Sequence, residues 1–420
     1  MRSTNFIWIV LGVMLALDFY VFQAIKTVSQ QYSLKFRTIV FYSYWSISIL
    51  ALVLIALIPI THFEDWPRSI RNYVLATLLG LLFAQLLASV FFLMDDIRRV
   101  IQWASGKLFF GHTEGEGLSG DGISRSVFMS WLGLGIGSGL FSSLIYGFTN
   151  KYNYQVRRIQ LSFENLPPAF KGLKILQISD IHSGSFQNRE AVNKGVDKIL
   201  HEGADIILFT GDLVNDRAVE MENYMDVFSR LRAPMGVYST LGNHDYGDYY
   251  YGPHPTGEKA VEKEENLQKL KEVHRQLGWR LLLDENIKLE RGSQQIALIG
   301  VQNISGRRTF QTYGSLPKAY AGAENAPFKI LMSHDPSHWD YEVIPKFPNI
   351  DLVLSGHTHG MQFGVELPGI KWSPVQYVYK EWAGLYEKGN QKLYVNRGYG
   401  FIGYPGRVGI LPEITVIELV

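Results

Sequence analysis

Four apolar stretches crowd the first 150 residues, and they constrain this chain more than any other feature in it. They run over residues 6–25, 38–60, 73–94 and 126–148. The last three carry no charged side chain. Each is long enough to cross a hydrocarbon core about 30 Å thick. Residues 1–150 are therefore expected to form an all-α, four-helix transmembrane region, and the protein is expected to be a multi-pass integral protein of the cell membrane. The first stretch contains Asp18, which is expected to face another helix or to reach the interface. A signal peptide is the rival assignment for that stretch, but no small-residue cleavage pattern follows it, so it is taken as an uncleaved anchor. Gly133, Gly135, Gly137 and Gly139 stud the fourth stretch and favour close helix packing. Residues 95–110, "DDIRRVIQWASGKLFF", suit an interfacial amphipathic helix. The "GHTEGEGLSGDG" that follows suits a flexible loop with a solvated His112. Basic residues balance across the spans: Lys26, Lys35, Arg37, Arg98, Arg99, Lys107 and Arg125 on one side, the amino terminus, Arg2, Arg68, Arg71, Lys151, Arg157 and Arg158 on the other. The positive-inside rule therefore leaves the orientation open.

From residue 151 the pattern changes to short apolar runs alternating with helical periodicity. Residues 173–179, 205–210, 236–241, 295–301, 328–333, 351–355, 392–396 and 413–419 are expected strands. Asn188 caps an expected helix that ends near His201, and residues 221–232 suit another. Residues 258–275 suit a helix with a solvated face. This alternation predicts a second domain over 151–420, an α/β fold whose strands are covered on both faces. A formal net charge of +1 offers no basic excess for a nucleic-acid partner. The absence of cysteine excludes disulfides and thiolate metal sites, so any metal must be held by His, Asp, Glu or Asn.

The strand endings carry the chemistry. "SDIHSG" supplies Asp180 and His182, "TGDLVND" supplies Asp212 and Asn215, and "LGNHDYG" supplies Asn243, His244 and Asp245. Later, "SHDPSHWD" supplies His334, and "SGHTHG" supplies His357 and His359. Alone, the last pair is explained as well by two polar side chains satisfied in a turn. Five strand endings that all offer oxygen or imidazole ligands, usually beside glycine, point to a common cause. In α/β sheets ligands gather at the carboxyl ends of strands, and a shared metal cluster accounts for the pattern.

In order, D-x-H, G-D, G-N-H-D, a lone H and G-H-x-H resemble the calcineurin-like metallophosphoesterase superfamily. The tail "YVNRGYGFIGYPGRVGILPEITVIEL" looks like its membrane-anchored bacterial branch. Met361 stands where that branch often has a second glycine, so the rim is expected to differ. The resemblance implies a four-layer α/β sandwich, two mixed β-sheets flanked by helices. It implies that Asp180, His182, Asp212 and His359 bind one metal, that Asp212, Asn243, His334 and His357 bind the other, and that Asp212 bridges. Oxygen and imidazole ligands suit two divalent ions, Mn²⁺ first, with Fe or Zn²⁺ as alternatives. Two metals about 3.5–4 Å apart can share a hydroxide that attacks phosphorus in line. His244 would then stabilise the developing charge and protonate the leaving oxygen. Asn215 is expected to orient His244 through its side-chain amide. Asp245 is expected to cap the next helix. Asp216 stands where Ser/Thr phosphatases have arginine, which argues against protein dephosphorylation.

Arg397 and Arg407, near the last glycines, are candidates for binding the substrate phosphate. Tyr249, Tyr250 and Tyr251 follow the catalytic turn as a lid, a lipid-facing rim or a self-packed loop. The expected activity is hydrolysis of a phosphodiester, pyrophosphate or phosphomonoester, and membrane attachment favours a lipid-linked substrate. The alternatives are a tethered enzyme for soluble nucleotides, or a non-catalytic membrane sensor or transporter that uses the domain to bind a ligand.

Overall fold

Long apolar runs free of proline make the four N-terminal helices. The computed structural model of the protein describes residues 2–109 and 124–420. The glycine-rich stretch with His112 lies outside the described residues. Helices α1 (Arg2–Ser29), α2 (Leu34–Leu57), α3 (Arg68–Phe109) and α4 (Arg125–Asn150) each contain a segment long and apolar enough to cross a membrane. Pro59 and Pro67 bracket the connection between α2 and α3, where a ring nitrogen cannot continue a helix. Large apolar side chains such as Ile9, Tyr42, Leu50 and Phe83 are exposed along these helices, as a lipid-facing surface requires. The chain divides into two compact units, Met1–Tyr146 and Gly147–Val420.

Two sequence expectations in the first unit are refined. Residues 95–109 are not a separate interfacial helix. They continue α3, whose 42 residues span about 63 Å at ~1.5 Å per residue, twice a bilayer core. No glycine or proline separates the two parts, and Asp95 and Asp96 pair with Arg98 and Arg99 one turn on, which supports the helix. Of the four glycines that stud residues 133–139 of α4, Gly133 and Gly137 lie at a helix contact. A Cβ there would fall 2.8 Å from the Ala88 carbonyl oxygen and 2.7 Å from that of Ala84. Gly135 and Gly139 face open space. The four-residue spacing puts the useful pair on one face.

In the second unit the strands are, in chain order, β1 (Gln155–Leu161), β2 (Lys174–Ile178), β3 (Ile206–Phe209), β4 (Val237–Ser239), β5 (Arg280–Leu281), β6 (Glu285–Arg291) and β7 (Gln294–Gly300). Then come β8 (Lys329–Met332), β9 (Leu352–Ser355), β10 (Val365–Leu367), β11 (Ile370–Trp372), β12 (Gly384–Lys388), β13 (Gln391–Val395) and β14 (Glu413–Leu419). One sheet has the order β1-β14-β2-β3-β4-β5, the other β12-β13-β9-β8-β7-β6, and β10 and β11 form a separate hairpin. All eight expected strands are present, within two residues at each end.

Side chains alternate across each strand. Ile175, Leu208, Leu298, Met332, Leu354 and Ile417 fill one core between the sheets. Leu176, Ile207 and Phe209 point the other way, onto Val192, Val196 and Ile199 of α5 (Arg189–His201). The outer face of the second sheet buries Ile299, Leu331 and Val353 against Trp339 and Val343. Helix, sheet, sheet and helix make the four-layer α/β sandwich. Asn188 caps α5 by accepting from Ala191 N at 3.0 Å. The helix expected over 221–232 shrinks to a 3₁₀ turn, Ala218–Met221, and α6 (Met225–Phe228). A further turn, α7 (Asp248–Tyr251), precedes α8 (Glu258–Gln276).

This topology positions the site. Strands β2, β3 and β4 run parallel in one sheet, and β7, β8, β9 and β13 run parallel in the other. The turns leaving β2, β3, β4, β8 and β9 converge at one end of the sandwich. Gln177 Nε2 donates to Ser355 O at 2.9 Å, and His334 meets Thr210 O at 2.7 Å, which binds the two sheets together at that end.

Candidate metal centre

The turn residues occupy backbone conformations that ordinary turns avoid. Asp180 (φ 53°), His182 (48°), Asp212 (61°), His357 (74°) and His359 (51°) are all left-handed. Non-glycine residues rarely sit there, and strain gathered at one place marks a functional site. The neighbouring glycines answer to space. A Cβ on Gly356 would lie 1.9 Å from Ser179 Oγ and 2.2 Å from Asp180 Oδ2.

These turns assemble two groups of ligands: Asp180, His182 and His359, and Asp212, His334 and His357. Within each group the ligand atoms lie within 4.8 Å of one another. Asp212 Oδ2 is 3.5 Å from His182 Nε2 and 3.1 Å from His334 Nε2, so this carboxylate touches both groups. Asn243 Oδ1 lies 2.7 Å from His357 Nδ1. All seven expected ligands are thus brought to one place, with the two histidines of the G-H-x-H turn in different groups.

The donor set fits divalent metals. His182 Nε2 and His359 Nε2 face each other at 3.0 Å, an approach that asks for a cation or a proton between two lone pairs. The outer ring nitrogens are engaged elsewhere. Nδ1 of His334 faces Thr210 O at 2.7 Å and Nδ1 of His182 faces Val214 O at 3.3 Å. Each donates a proton there and turns Nε2 towards the cluster. His357 turns the other way, with Nε2 against Tyr379 Oη at 2.8 Å and Nδ1 pointing inward. Such outer partners fix the rotation of a metal-ligating ring.

Burial holds His182, His357 and His359 below the usual histidine range, which keeps their rings neutral and able to ligate. Burial also acts against a charged His334, but the adjoining Asp212 carboxylate outweighs it and pushes His334 up to about 10. Asp180 and Asp212 lie well below the carboxylate range: burial raises both, and the neighbouring histidines lower them further.

His244 sits beside this cluster. Its ring meets that of His182 edge-on at 4.9 Å, and its backbone N–H donates to Asp212 Oδ1 at 2.9 Å. Its orientation comes from Asn215, but not as expected. His244 Nδ1 faces the main-chain carbonyl of Asn215 at 2.8 Å, while the Asn215 amide bonds Ser185 Oγ at 3.0 Å. The backbone holds the ring because the turn after β3 already carries that carbonyl past it. Asp245 ties turns together rather than capping a helix: its carboxylate accepts from the backbone of Gly242, Asp212 and Leu213.

Arg397 and Arg407 have other tasks than phosphate binding. Both are buried. Arg397 is paired with Glu413 and Glu366. Arg407 donates to the carbonyls of Arg397, Gly398, Gly400 and His359. Neither guanidinium faces an open surface. Met361, at the variant glycine position, is left-handed (φ 54°) and exposed, two residues beyond His359.

Three residues at the site were missed or left undecided by sequence reasoning. Tyr249 stacks on His244 with ring centroids 4.4 Å apart, and its hydroxyl accepts from Asn243 Nδ2 at 3.0 Å. Tyr379 and Asp335 attend His357, the carboxylate 3.8 Å from Nε2. Asp335 could have been noticed beside His334. Tyr379 follows no strand and carries no local signal.

Comparison with known proteins finds family matches in both parts of the chain. The family described as "Calcineurin-like phosphoesterase" matches residues 173–361, and one described as "Probable Calcineurin-like phosphoesterase, transmembrane domain" matches residues 1–151. The metallophosphoesterase YkuE of Bacillus subtilis (strain 168) is 30% identical over 257 residues, 60% of this chain and 81% of that one. YkoQ, a metallophosphoesterase of the same organism, is 27% identical over 284 residues, 64% of this chain and 92% of that one. The phosphodiesterase YaeI of Escherichia coli (strain K12) is 27% identical over 273 residues, 64% of this chain and 88% of that one.

Proposed function

The chain belongs to the calcineurin-like metallophosphoesterases, as a metal-dependent phosphoric ester hydrolase with a transmembrane region, and from that premise we propose that it hydrolyses a phosphodiester or pyrophosphate presented at the bilayer, a lipid-linked ester first among them. The observation that carries the reading is the convergence of the two ligand groups on Asp212, beside a histidine outside both. In this reading Asp180, His182, Asp212 and His359 hold one divalent ion, and Asp212, Asn243, His334 and His357 the other. Mn²⁺ is the first choice for assays. When bound, the two metals supply a nucleophilic water near neutral pH and draw charge from the phosphoryl oxygens.

The chain's own residues do the rest. Asn215 O holds His244 by Nδ1, which leaves Nε2 to carry a proton towards the leaving oxygen. Tyr249 covers one face of that ring and limits its rotation. Burial of Asp180, Asp212, His182 and His334 excludes water from the ligand side of the site. Two features favour a bilayer substrate: only four residues, 151–154, separate α4 from β1, and Tyr249, stacked on His244, and the following Tyr250 are exposed. Such rings are favoured at the membrane interface.

The test uses the full-length protein in detergent, loaded with Mn²⁺ and offered nitrophenyl phosphodiesters and monoesters, nucleotides and phospholipid vesicles. His244→Ala should keep its metals and lose turnover steeply with alkoxide leaving groups. The deficit should shrink with nitrophenolate, which leaves without a proton. An equal deficit for both would remove His244 from proton transfer. Turnover of soluble esters alone would confine the reading to a tethered enzyme.

A further inference from the structure

The membrane unit holds a polar cluster that the hydrolase chemistry does not use. Asp18 lies near the middle of the Phe6–Ser29 span, and it is fully buried. Twelve residues from the span's start places it roughly 18 Å along the helix at ~1.5 Å per residue, deep in the hydrocarbon. Ser48 Oγ donates to Asp18 Oδ1 at 2.8 Å and Gln85 Nε2 donates to the same oxygen at 2.6 Å. Tyr44 Oη donates to the Asp18 carbonyl at 2.8 Å and approaches Oδ1 at 3.3 Å. Three helices, α1, α2 and α3, therefore meet at one carboxylate oxygen.

The other acceptors are left over. Among the described residues nothing donates to Asp18 Oδ2, to Gln85 Oε1 or to Ser89 Oγ, and all three residues are at least nine-tenths buried. Ser89 is one turn beyond Gln85 on α3. The cluster is closed on both sides by apolar layers. Met14, Ala51, Ile55 and Leu78 pack together on one side, and Val21, Ala24, Ala88 and Phe92 on the other. No Lys, Arg or His contacts Asp18 among the described residues, and Lys26, two turns along α1, lies instead over Phe22.

Unsatisfied acceptors in hydrocarbon cost several kcal/mol each, and an unpaired charge costs more. The donors of Tyr44, Ser48 and Gln85 are spent on Oδ1 and the backbone, and the Ser89 hydroxyl meets no partner among the described residues. What remains is the carboxylate oxygen Asp18 Oδ2 and two further unpartnered oxygens of α3, Gln85 Oε1 and Ser89 Oγ. That is a hard, all-oxygen ligand set. A divalent ion usually draws more than one carboxylate, so the charge balance favours a monovalent ion. We propose that Asp18, Gln85 and Ser89 bind a sodium-sized monovalent cation within the membrane unit, and that this ion is part of how α1, α2 and α3 pack. The region then does more than anchor the enzyme: its stability is set by a ligand.

The test uses the full-length protein in detergent. Equilibrium binding of radioactive sodium should show a saturable site that is absent from Asp18→Asn. Exchanging choline for sodium at constant ionic strength should raise the thermal midpoint of the wild type by a few degrees for each tenfold increase, and leave Asp18→Asn unchanged. Asn preserves the shape of the side chain, and monodisperse elution with unchanged helical signal checks that the variant is folded. Gln85→Leu and Ser89→Ala keep the charge and should weaken sodium binding at least tenfold. They keep the proposal falsifiable should Asp18→Asn not fold. Equal sodium response in wild type and Asp18→Asn, or undiminished binding in both Gln85→Leu and Ser89→Ala, overturns the proposal. So does an infrared band of a protonated carboxyl that disappears in Asp18→Asn without any sodium response, which would put a proton in the ion's place.

Discussion

Asp245 follows the residue assigned to proton transfer, and its place in G-N-H-D invites a chemical role. Its bonds argue for a mechanical one. The buried carboxylate accepts from Gly242 N at 2.9 Å, Asp212 N at 2.9 Å and Leu213 N at 2.8 Å, with a longer contact to Val214 N at 3.3 Å. One side chain therefore joins the turn that carries Asp212 to the turn that carries Asn243 and His244. Asp245→Ala leaves those donors buried without an acceptor. Each costs ~1–3 kcal/mol. Because they share one partner their costs do not simply add, and a total loss of about 3–5 kcal/mol is expected. Asp245→Asn keeps one acceptor and turns an N–H₂ towards the others, so about 2–3 kcal/mol should go.

The second consequence is on the metals. Asp212 is positioned by the donors that Asp245 receives, and loss of such outer partners typically weakens metal binding ~10–100-fold. Two measurements check this: urea unfolding of the metal-free protein, followed by its near-ultraviolet dichroism, and metal titration. At saturating Mn²⁺ the Asp245→Asn variant should recover turnover to within severalfold of wild type. If instead Asp245→Asn unfolds at the wild-type urea concentration, binds metal normally and yet loses turnover, the carboxylate takes part in the reaction and the mechanical reading is wrong.

Asp212→Asn should lower both metal occupancies together, as measured by elemental analysis after reconstitution; full stoichiometry in the variant would take Asp212 out of the bridging position. His334 gives the pH behaviour. Its folded-state value is pushed up to about 10 while its ordinary value is 6.5. The metal-free catalytic unit should therefore hold this contribution fully below about pH 6.5 and lose it as pH rises through about 10. Metal uptake near pH 8 should release protons, seen with an indicator in weak buffer, and His334→Ala should release fewer. Finally, Tyr249→Ala with Tyr250→Ala in the full-length protein should cut hydrolysis of a lipid ester in vesicles more than hydrolysis of a small soluble diester. An equal effect on both would reduce the tyrosines to support for His244.

What was legible in the sequence followed from local chemistry. Each metal-ligand candidate comes within a few residues of an apolar run, beside glycine or serine, and the strand, its end and the turn are all written within a few letters. The spans were legible for the same reason, since a bilayer reads only length and polarity. Strand β1, "QVRRIQL", was missed because its paired arginines break the alternation, and β6, "ENIKLER", because its alternation rests on two apolar residues alone, Ile287 and Leu289. Strand β1 exists through its parallel register with β14, and Arg157 and Arg158 there are steadied by Glu366 and Glu202, far off in sequence. The boundary inside α3 was misplaced because polarity rises at Asp95 while helix propensity does not fall.

The two arginines show where local reading fails in principle. A guanidinium near glycines in a hydrolase suggests a phosphate ligand, and the suggestion rests on charge alone. Charge is only one of its properties; the five N–H donors in a fixed plane are another. The segment around Arg397–Gly400 leaves β13 without a ladder partner, so its carbonyls need donors from elsewhere. Arg407 supplies them to Arg397, Gly398 and Gly400, and reaches His359 O as well. Arg397 is held in turn by Glu413 of β14 and Glu366 of β10. Neither demand is visible before the fold brings these segments together. A buried arginine of this kind positions His359 from behind, by its carbonyl and by Nδ1 of its ring, and its loss would reach the ligand cluster through His359 rather than through the substrate.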